Sequence, residues 1–343
     1  MATLREQAGC WLHERWRTEA VLHRSAARLM GWRWEDLCNR HERLENGEDG
    51  ARRCLWQHSS LLTVARFFPG VGGRLLAHCR DEWPVQFSDT SQSAPDNPRI
   101  SVVLPVGGRD RIPLFQCALS AFLAQTVREV MEIIAVEHDN ASVYQDLCPS
   151  GVRYMRIPRA AGHEFSRSRA LNAGARAARA PCLLLHDSDV VPPARYVESL
   201  LSRLASGWDA VRPMRFLFQL DENSTREFVA AKGAYAPREV WAVQQNNPGV
   251  AVAMAAQAYK DIGGHDEAFQ GWGGEDQEFA DRLQTRRLYP GGYVPLIHLW
   301  HPAAPKKASG DRNLDLTRRL REIPPAERMR RLRGLYSGGL APL

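Results

Sequence analysis

The spacing of apolar residues divides the chain into two parts. Residues 1 to about 83 carry apolar residues at helical intervals, for example Leu12 and Trp16, and few β-branched runs, which predicts a helical N-terminal region. From Ser88 to Pro98 the sequence SDTSQSAPDNP breaks all periodicity with serine, proline, aspartate and asparagine. This composition is typical of a linker.

Beyond the linker, short apolar runs alternate with segments of helical periodicity. The apolar runs predict strands at Ile100 to Val106, Ile133 to Glu137, Val152 to Ile157 and Cys182 to His186. The segments between them predict helices at Leu114 to Gln125, Ser166 to Arg179 and Ala194 to Ala205. This alternation favours an α/β fold with a mainly parallel sheet. Ligands bind such sheets at the carboxyl ends of the strands, so we expect the functional residues in the loops that follow them.

Composition is that of an ordinary globular protein. Of 343 residues, 44% are hydrophobic, and no run approaches the roughly 18 apolar residues of a membrane helix. The first residues, MATLREQAGCWLHERW, mix charge into every turn and lack the apolar core of a signal peptide. Seven cysteines without a C-x-x-C pair indicate reduced thiols. These features predict a cytoplasmic protein.

The surplus of positive charge is concentrated near the carboxyl end, where eight arginines lie between Arg312 and Arg333. A surplus confined to one tail does not indicate nucleic-acid binding. The arginine-rich composition of this tail predicts a solvated helical segment. Alternatively, the tail makes a peripheral contact with anionic lipid at the inner face of the membrane.

Two carboxylates, Asp187 and Asp189, follow the predicted strand that ends at His186. At a strand end, such a pair can share a divalent cation and the phosphates that it carries. Asp-x-Asp also occurs in surface turns, and the motif alone leaves that alternative open.

Two histidines, His298 and His301, lie three residues apart in the segment IHLWHP. This segment is not the H-E-x-x-H motif of a helical zinc hydrolase, because no Glu follows His298 and Pro302 ends the segment. Isolated histidine pairs are usually structural, but imidazole suits Mn²⁺ and Asp189 already offers a carboxylate. We therefore predict a metal site of Asp189, His298 and His301.

The sequence GWGGED, from Gly271 to Asp276, precedes an amphipathic helical segment. Glycines let the backbone fold closely against a ligand, and the Trp272 ring offers an apolar face for a sugar. A helix start would account for the acids, but not for the Gly-Trp-Gly-Gly run. The pattern therefore favours a functional loop.

In their order, these motifs resemble those of nucleotide-sugar-dependent glycosyltransferases of the GT-A fold. They are most similar to the β-1,4-galactosyltransferase family and to bacterial relatives such as the chondroitin-synthesising polymerases. The resemblance spans about residues 99–302 and implies an α/β, Rossmann-like mixed sheet. The expected division is a helical N-terminal region at 1–95, a GT-A domain at 96–305 and a basic tail at 306–343.

The resemblance also implies roles for individual residues. Those that it assigns to the nucleotide sugar are Pro105, Arg109, Glu137, Phe165, Arg167, Asn172, Asp187 and Ser188. Asp189 corresponds to the direct Mn²⁺ (or Mg²⁺) ligand, and His298 and His301 fall on the family's final ligands, a Met and a His.

The W-G-G-E-D match implies catalysis by Asp276 as the base, with Glu275 beside it. The acceptor- and sugar-binding residues that the resemblance implies are Trp272, Gly273, Gly274 and Asn246. Asn246 stands where the galactosyl enzymes carry a bulky aromatic residue, so the donor sugar stays open and could carry a 2-acetamido group.

The implied function is metal-dependent, inverting transfer of a sugar from a UDP-sugar to a hydroxyl of a glycan or glycolipid acceptor. Three alternatives stay open: a retaining or N-acetylgalactosaminyl-type transferase, a non-catalytic nucleotide-sugar or glycan-binding protein, and a metal-dependent hydrolase.

The N-terminal region contains four pairs of closely spaced cysteine and histidine residues. These are Cys10 with His13, Cys38 with His41, Cys54 with His58, and His78 with Cys79. Their intervals fit no standard zinc finger, so packing or acceptor recognition is the preferred interpretation over zinc binding.

Overall fold

A computed structural model describes residues 3–47, 51–55, 58–90, 93–232, 234–271, 273–302 and 310–337. Trp272, one of the predicted acceptor-site residues, lies outside the described residues.

The described strands are β1 (Leu44–Asn46), β2 (Arg52–Cys54), β3 (Ser60–Leu61), β4 (Ile100–Val106), β5 (Met131–His138), β6 (Val152–Ile157), β7 (Cys182–His186), β8 (Val190–Val191), β9 (Ala210–Val211), β10 (Met214–Gln219), β11 (Ala242–Gln245), β12 (Ala251–Ala255) and β13 (Val294–His298).

The described α-helices are α1 (Leu4–Cys10), α2 (Trp16–Leu22), α3 (Arg24–Met30), α4 (Thr63–Phe67), α5 (Pro69–Glu82), α6 (Ile112–Leu123), α7 (Arg167–Ala177), α8 (Tyr196–Ala205), α9 (Glu222–Ala230), α10 (Ala256–Asp261), α11 (Glu275–Leu283), α12 (Gly310–Arg321) and α13 (Pro325–Ser337). A π-helical turn at Trp11–Arg15 connects α1 to α2.

A six-stranded sheet forms the centre of the molecule, in the order β6-β5-β4-β7-β12-β9. Its first four strands are parallel, while β12 and β9 pair antiparallel. The prediction of an α/β fold with a mixed, mainly parallel sheet is confirmed. Strands β4, β6 and β7 have the predicted bounds, and β5 extends the predicted strand at both ends.

The two faces of this sheet are buried by helices. On one face, α7 packs so closely that a Cβ on Gly174 would overlap with Val103 of β4. On the other face, Phe115 and Phe122 of α6 are fully buried with apolar residues of β4 and β5. Burial on both faces explains why β4 and the middle of β5 are continuous apolar runs in the sequence.

A second sheet has the order β3-β11-β10-β13-β8. Strand β3 comes from the N-terminal region and pairs antiparallel with β11. Arg215 of β10 is buried and donates hydrogen bonds to the carbonyl oxygens of Glu35, at 2.8 Å, and of Leu37. The N-terminal region is thus joined to the second sheet by backbone and side-chain hydrogen bonds.

The N-terminal region differs in two respects from the predicted helical unit. It contains the short strands β1, β2 and β3 as well as helices. Leu12 and Trp16, whose spacing suggested a buried face, are 59% and 53% exposed. The proposed boundary at residue 95 stays a prediction.

The basic tail is a pair of amphipathic helices, and the expectation of a wholly solvated segment is wrong for one of their faces. Met329, Leu332 and Tyr336 of α13 are buried, and Arg328 is an ion-pair partner of Glu278 of α11, at 2.9 Å. The other tail arginines are exposed. Contact with anionic lipid stays a prediction, and none of the described helices is long and apolar enough to cross a membrane.

Candidate active site

A cluster of metal-capable side chains forms where the two sheets meet. Asp189 follows β7, and β8 pairs antiparallel with β13 so that Val190 lies opposite His298. The Asp189 carboxylate is consequently 3.9 Å from His298 Nε2 and 3.4 Å from His301 Nε2. Among the described residues, Asp189, His298 and His301 form the one group of at least three His, Cys, Asp or Glu side chains close enough together to hold a metal ion.

The protonation states of this cluster suit a divalent cation. Although burial opposes ionisation, electrostatic interactions with His298, with the Arg111 guanidinium and with His301 hold the pKa of Asp189 below its ordinary value. Burial lowers the pKa of His301, which keeps its imidazole neutral. Its Nδ1 lies 2.9 Å from the Pro302 carbonyl oxygen, so we assign the proton to Nδ1, and Nε2 offers its lone pair beside Asp189.

Arg111 is a site residue that the sequence analysis missed. It donates a hydrogen bond from Nη1 to Asp189 Oδ2 at 2.6 Å, whereas Arg109, the predicted nucleotide contact, is exposed. Both arginines belong to one 3₁₀ turn at Arg109–Arg111, which directs them to different sides. The repeated Arg in R-D-R was the available signal.

Arg167 connects the D-x-D motif to the helix that follows the glycine-rich loop. It occupies the first position of α7, next to the N-cap Ser166. Its Nε lies 2.6 Å from Asp187 Oδ1, and its Nη1 lies 2.8 Å from Asp276 Oδ1. Burial opposes the charge, but Asp187, Asp276 and Glu275 together raise the pKa of Arg167. The permanently charged Arg167 therefore holds together two predicted site acids, Asp187 and Asp276, that are 89 positions apart in the sequence.

The remaining acids of the site ionise less readily than usual. Burial raises the pKa of Asp187 to about 6, and the positive charge of Arg167 offsets part of this effect. Burial and the neighbouring charge of Asp276 raise the pKa of Glu275 to about 7. Glu275 Oε2 is buried without a hydrogen-bond partner in the part of the chain described.

This raised pKa predicts a pH dependence of stability. Folding raises the pKa of Glu275 from 4.5 to about 7, so its stabilising contribution is full below the lower value and is lost as the pH rises through the higher one. The melting temperature of the metal-free protein should therefore fall as the pH rises between these two pKa values, and Glu275→Gln should make this fall smaller. Glu239→Gln, at an exposed position, is the control. Parallel pH profiles of the wild type and Glu275→Gln would contradict the prediction.

The glycine-rich loop has a backbone that other residues rarely adopt. Gly271, Gly273 and Gly274 have φ values of 69°, 104° and 90°. A Cβ on Gly274 would also overlap with Thr317 of α12 and lie 2.9 Å from the Phe269 ring. The loop therefore requires glycine for its conformation and for its packing.

Gly274→Ala should reduce the free energy of unfolding by about 1–3 kcal/mol, because it adds backbone strain and a clash with Thr317. Thermal and urea unfolding measure the effect. Gly70→Ala is the matched control, since Gly70 lies in α5 with no atom near its added Cβ, and alanine favours the helix. Equal stability of the two variants would show that the loop relaxes freely.

Three further predicted residues lie at the same edge of the central sheet. Ser188 donates a hydrogen bond to the Pro105 carbonyl oxygen at 2.8 Å, which connects the D-x-D motif to β4. Phe165 covers Gly107, where an added Cβ would lie 2.8 Å from the ring. This packing leaves no room for a side chain at position 107 unless Phe165 moves.

Glu137 and Asn172 are buried and hold neighbouring loops. Glu137 accepts hydrogen bonds from the Val143 backbone at 3.1 Å and the Tyr154 hydroxyl at 2.5 Å. Asn172 donates to the His265 carbonyl oxygen at 2.9 Å and accepts from the backbone N–H of the same residue at 2.9 Å. Direct contact of either residue with a nucleotide stays a prediction.

The segment from Asn246 to Val250 borders Asp276. Both Asn246 and Val250 have positive φ, at 54° and 75°, which is strained for a β-branched residue such as valine. A Cβ on Gly249 would overlap with Asp276 Oδ2. The segment thus allows the carboxylate to approach the backbone closely.

The Cys–His pairs of the N-terminal region do not converge into a metal site. None of their side chains joins a group of three metal-capable residues within the described ranges. Cys10 and Cys79 are buried, as expected for packing.

Comparisons with known proteins agree with the motifs. The family described as the N-terminal domain of galactosyltransferase matches residues 243–291, which include the glycine-rich loop and α11. Validoxylamine A glucosyltransferase of Streptomyces hygroscopicus subsp. limoneus is 27% identical over 226 residues, covering 56% of this chain and 49% of that protein. Its counterpart in S. hygroscopicus subsp. jinggangensis is also 27% identical, over 52% of its length. The chain spans about half the length of these curated relatives.

Among solved structures, a mannosyltransferase from Pyrobaculum calidifontis, in complex with GDP-Man and Mn²⁺, is similar at 18% identity. Its TM-score is 0.41, and the match covers 72% of this chain and 68% of that one. The resemblance to GT-A glycosyltransferases that the motifs indicated is confirmed by the family match and the two sequence relatives.

Proposed function

We propose that the protein is a glycosyltransferase that moves a sugar from a UDP-sugar to a hydroxyl of a glycan or glycoconjugate acceptor. The observation that carries this proposal is the Arg167 bridge between Asp187 and Asp276, beside the cluster of Asp189, His298 and His301. This arrangement brings a candidate metal site and a candidate base to one edge of the sheet.

The first task of such an enzyme is to stabilise the departing diphosphate. Asp189, His298 and His301 would hold a divalent cation, Mn²⁺ or Mg²⁺, which when bound supplies positive charge for the diphosphate. Arg111 contacts Asp189 and Arg167 contacts Asp187, so two guanidinium groups lie on either side of the D-x-D motif. Preorganised positive charge of this kind favours the transition state over the ground state.

The second task is to remove the proton of the acceptor hydroxyl. Asp276 Oδ1 is held by Arg167, and Oδ2 occupies the space beside Gly249 where any other residue would place its Cβ. The carboxylate is thus oriented by one oxygen while the other is placed to accept a proton. A single base acting with direct attack gives inversion at the anomeric carbon, and Glu275 would tune the local charge beside it.

The test measures UDP release from a panel of UDP-sugars with Mn²⁺, with and without acceptors. The panel should include UDP-glucose with validoxylamine A, because the two sequence relatives are named for that acceptor. It should also include UDP-GalNAc beside UDP-Gal, since Asn246 replaces the bulky aromatic of the resembling family. NMR of the product identifies the anomeric configuration.

Each outcome separates the proposed activity from its alternatives. Acceptor-dependent UDP release supports a transferase, whereas equal release with and without acceptors indicates a hydrolase. Binding of UDP-sugars without any release indicates a non-catalytic binding protein. A product with retained configuration would exclude the single-base mechanism.

A further inference from the structure

A cavity of about 780 Å³ lies beside the segment 246–249, which borders Asp276. Its walls are the segment 246–249, α11, the segment 286–292 and part of the N-terminal region around β2. Gly249, on which an added Cβ would overlap with Asp276 Oδ2, lines the cavity, although Asp276 itself does not. A molecule in this cavity would therefore lie next to the proposed base, and its size is that of a small-molecule site.

The lining of the cavity is strongly basic. The arginines that line it are Arg52, Arg53, Arg212, Arg215, Arg286 and Arg321. Asp281 is the carboxylate that lines it among the described residues. The cavity thus has a large excess of positive charge beside Asp276.

Four of these arginines already have partners in the protein. Arg52 pairs with Asp36 and Arg215 donates to backbone carbonyl oxygens. The other two form long ion pairs of 3.7 Å, Arg286 with Asp261 and Arg321 with Asp281. Carboxylates balance the charges of three of these arginines, and Arg215 is held by hydrogen bonds to uncharged carbonyl and amide oxygens.

Arg53 and Arg212 have less such compensation than these four. Neither has a carboxylate within ion-pair distance in the portion of the chain that the structure describes. Arg212 donates one hydrogen bond, from Nη2 to the Asn247 carbonyl oxygen at 2.7 Å, out of the five N–H groups of a guanidinium. Burial lowers its pKa, while the negative charge of Asp276 acts in the opposite direction. Arg212 is therefore a partly desolvated cation in the cavity wall, and its charge interacts favourably with that of Asp276.

We infer that the acceptor carries an anionic group, a phosphate or a carboxylate, that binds Arg212 with support from Arg53 while its hydroxyl faces Asp276. This inference rests on the proposed transferase function. A guanidinium forms paired, charge-assisted hydrogen bonds with these planar or tetrahedral anions, and partial burial strengthens them. Because Arg53 belongs to β2, the N-terminal region would complete the acceptor site.

The test is calorimetric binding of glucose 6-phosphate, glucuronic acid and glucose to the full chain without donor. We expect the anionic sugars to bind on the order of tenfold more tightly than glucose, as one charged hydrogen-bond contact provides. The two anions distinguish phosphate from carboxylate recognition. Equal affinity for all three sugars, or no binding of either anion, would overturn the inference.

Variants locate the effect at Arg212. Arg212→Gln should abolish the preference for anions, and Arg212→Lys should restore part of it, which shows that the protein still folds. Arg195→Gln is the control, because Arg195 is 68% exposed on the side chain and does not line the cavity. An anion preference that persists in Arg212→Gln would contradict the inference.

UDP binding and sugar transfer in the same variants separate the inference from the proposed function. Transfer to neutral acceptors without any anion preference would overturn the inference alone. An Arg212-dependent anion preference in a protein that neither binds UDP nor transfers sugar would instead overturn the proposed function.

Discussion

Asp276→Asn should abolish sugar transfer while leaving the affinity for the UDP-sugar nearly unchanged. The amide keeps the shape of the side chain and can remain near Arg167, but it cannot accept the acceptor proton. The loss should be about 10²- to 10⁴-fold in kcat, the usual contribution of a positioned base. Steady-state kinetics with saturating acceptor and a separate measurement of UDP-sugar binding check the two parts of this expectation.

Asp315→Asn provides the control for this substitution. Asp315 is an exposed acid on α12 whose ion pair with Arg318 lies on the surface, so its amide variant should have normal turnover. An Asp276→Asn enzyme with near-normal turnover on the true acceptor would remove Asp276 from the base role. A large loss of UDP-sugar affinity would indicate instead that the Arg167 bridge mainly organises the donor site.

The inner parallel strands of the central sheet could be predicted because they are buried on both faces. Such strands are continuous apolar runs, and β4 and β7 are recognisable from that feature alone. The edge strand β6 is different, because Arg153 and Arg156 interrupt its apolar residues and are exposed. Strands β8 and β9 have two residues each, which is too short for a pattern. Their pairing is decided by tertiary contacts, so the antiparallel part and the second sheet could not be predicted.

Parts of the candidate site could likewise be predicted from the sequence, and other parts could not. The glycine-rich loop was predictable, because positive φ at Gly271, Gly273 and Gly274 demands glycine and leaves a run in the sequence. The role of Arg111 could not be predicted, because it depends on the direction in which a 3₁₀ turn points neighbouring side chains. The basic cavity was also hidden, since Arg53 and Arg212 are 159 positions apart and are brought together by the fold.

In the tail, the number of charged residues was a poor guide to which side chains are exposed. Its many arginines suggested a solvated segment, yet Arg328 is buried against Glu278, which also forms a buried ion pair with Arg282, at 2.6 Å. A buried arginine with carboxylate partners cannot be distinguished in the sequence from an exposed one. Since α12 and α13 pack on α11, the tail supports the helix that carries Glu275 and Asp276.

His301→Ala should lose most of the transferase activity at limiting Mn²⁺. The Pro302 carbonyl fixes the His301 ring with Nε2 beside Asp189, so the substitution removes a preorganised donor. His298→Met should retain measurable activity, because the resembling family carries Met at that position. Activity titrations over Mn²⁺ concentration measure both effects. Recovery of His301→Ala at high Mn²⁺ would be the expected signature of weakened metal affinity.

The pH dependence of Mn²⁺ binding tests the same site by a second route. An imidazole must be neutral to bind a metal, and burial lowers the pKa of His301, so it stays neutral to a lower pH than a free imidazole. Mn²⁺ affinity should therefore fall as the pH decreases, with its steep decline below the ordinary imidazole pKa. His163→Ala is the control, since this exposed histidine lies outside the cluster. Undiminished wild-type activity in excess EDTA, or full activity of His301→Ala at limiting Mn²⁺, would show that the two histidines are structural and that transfer does not require the proposed metal.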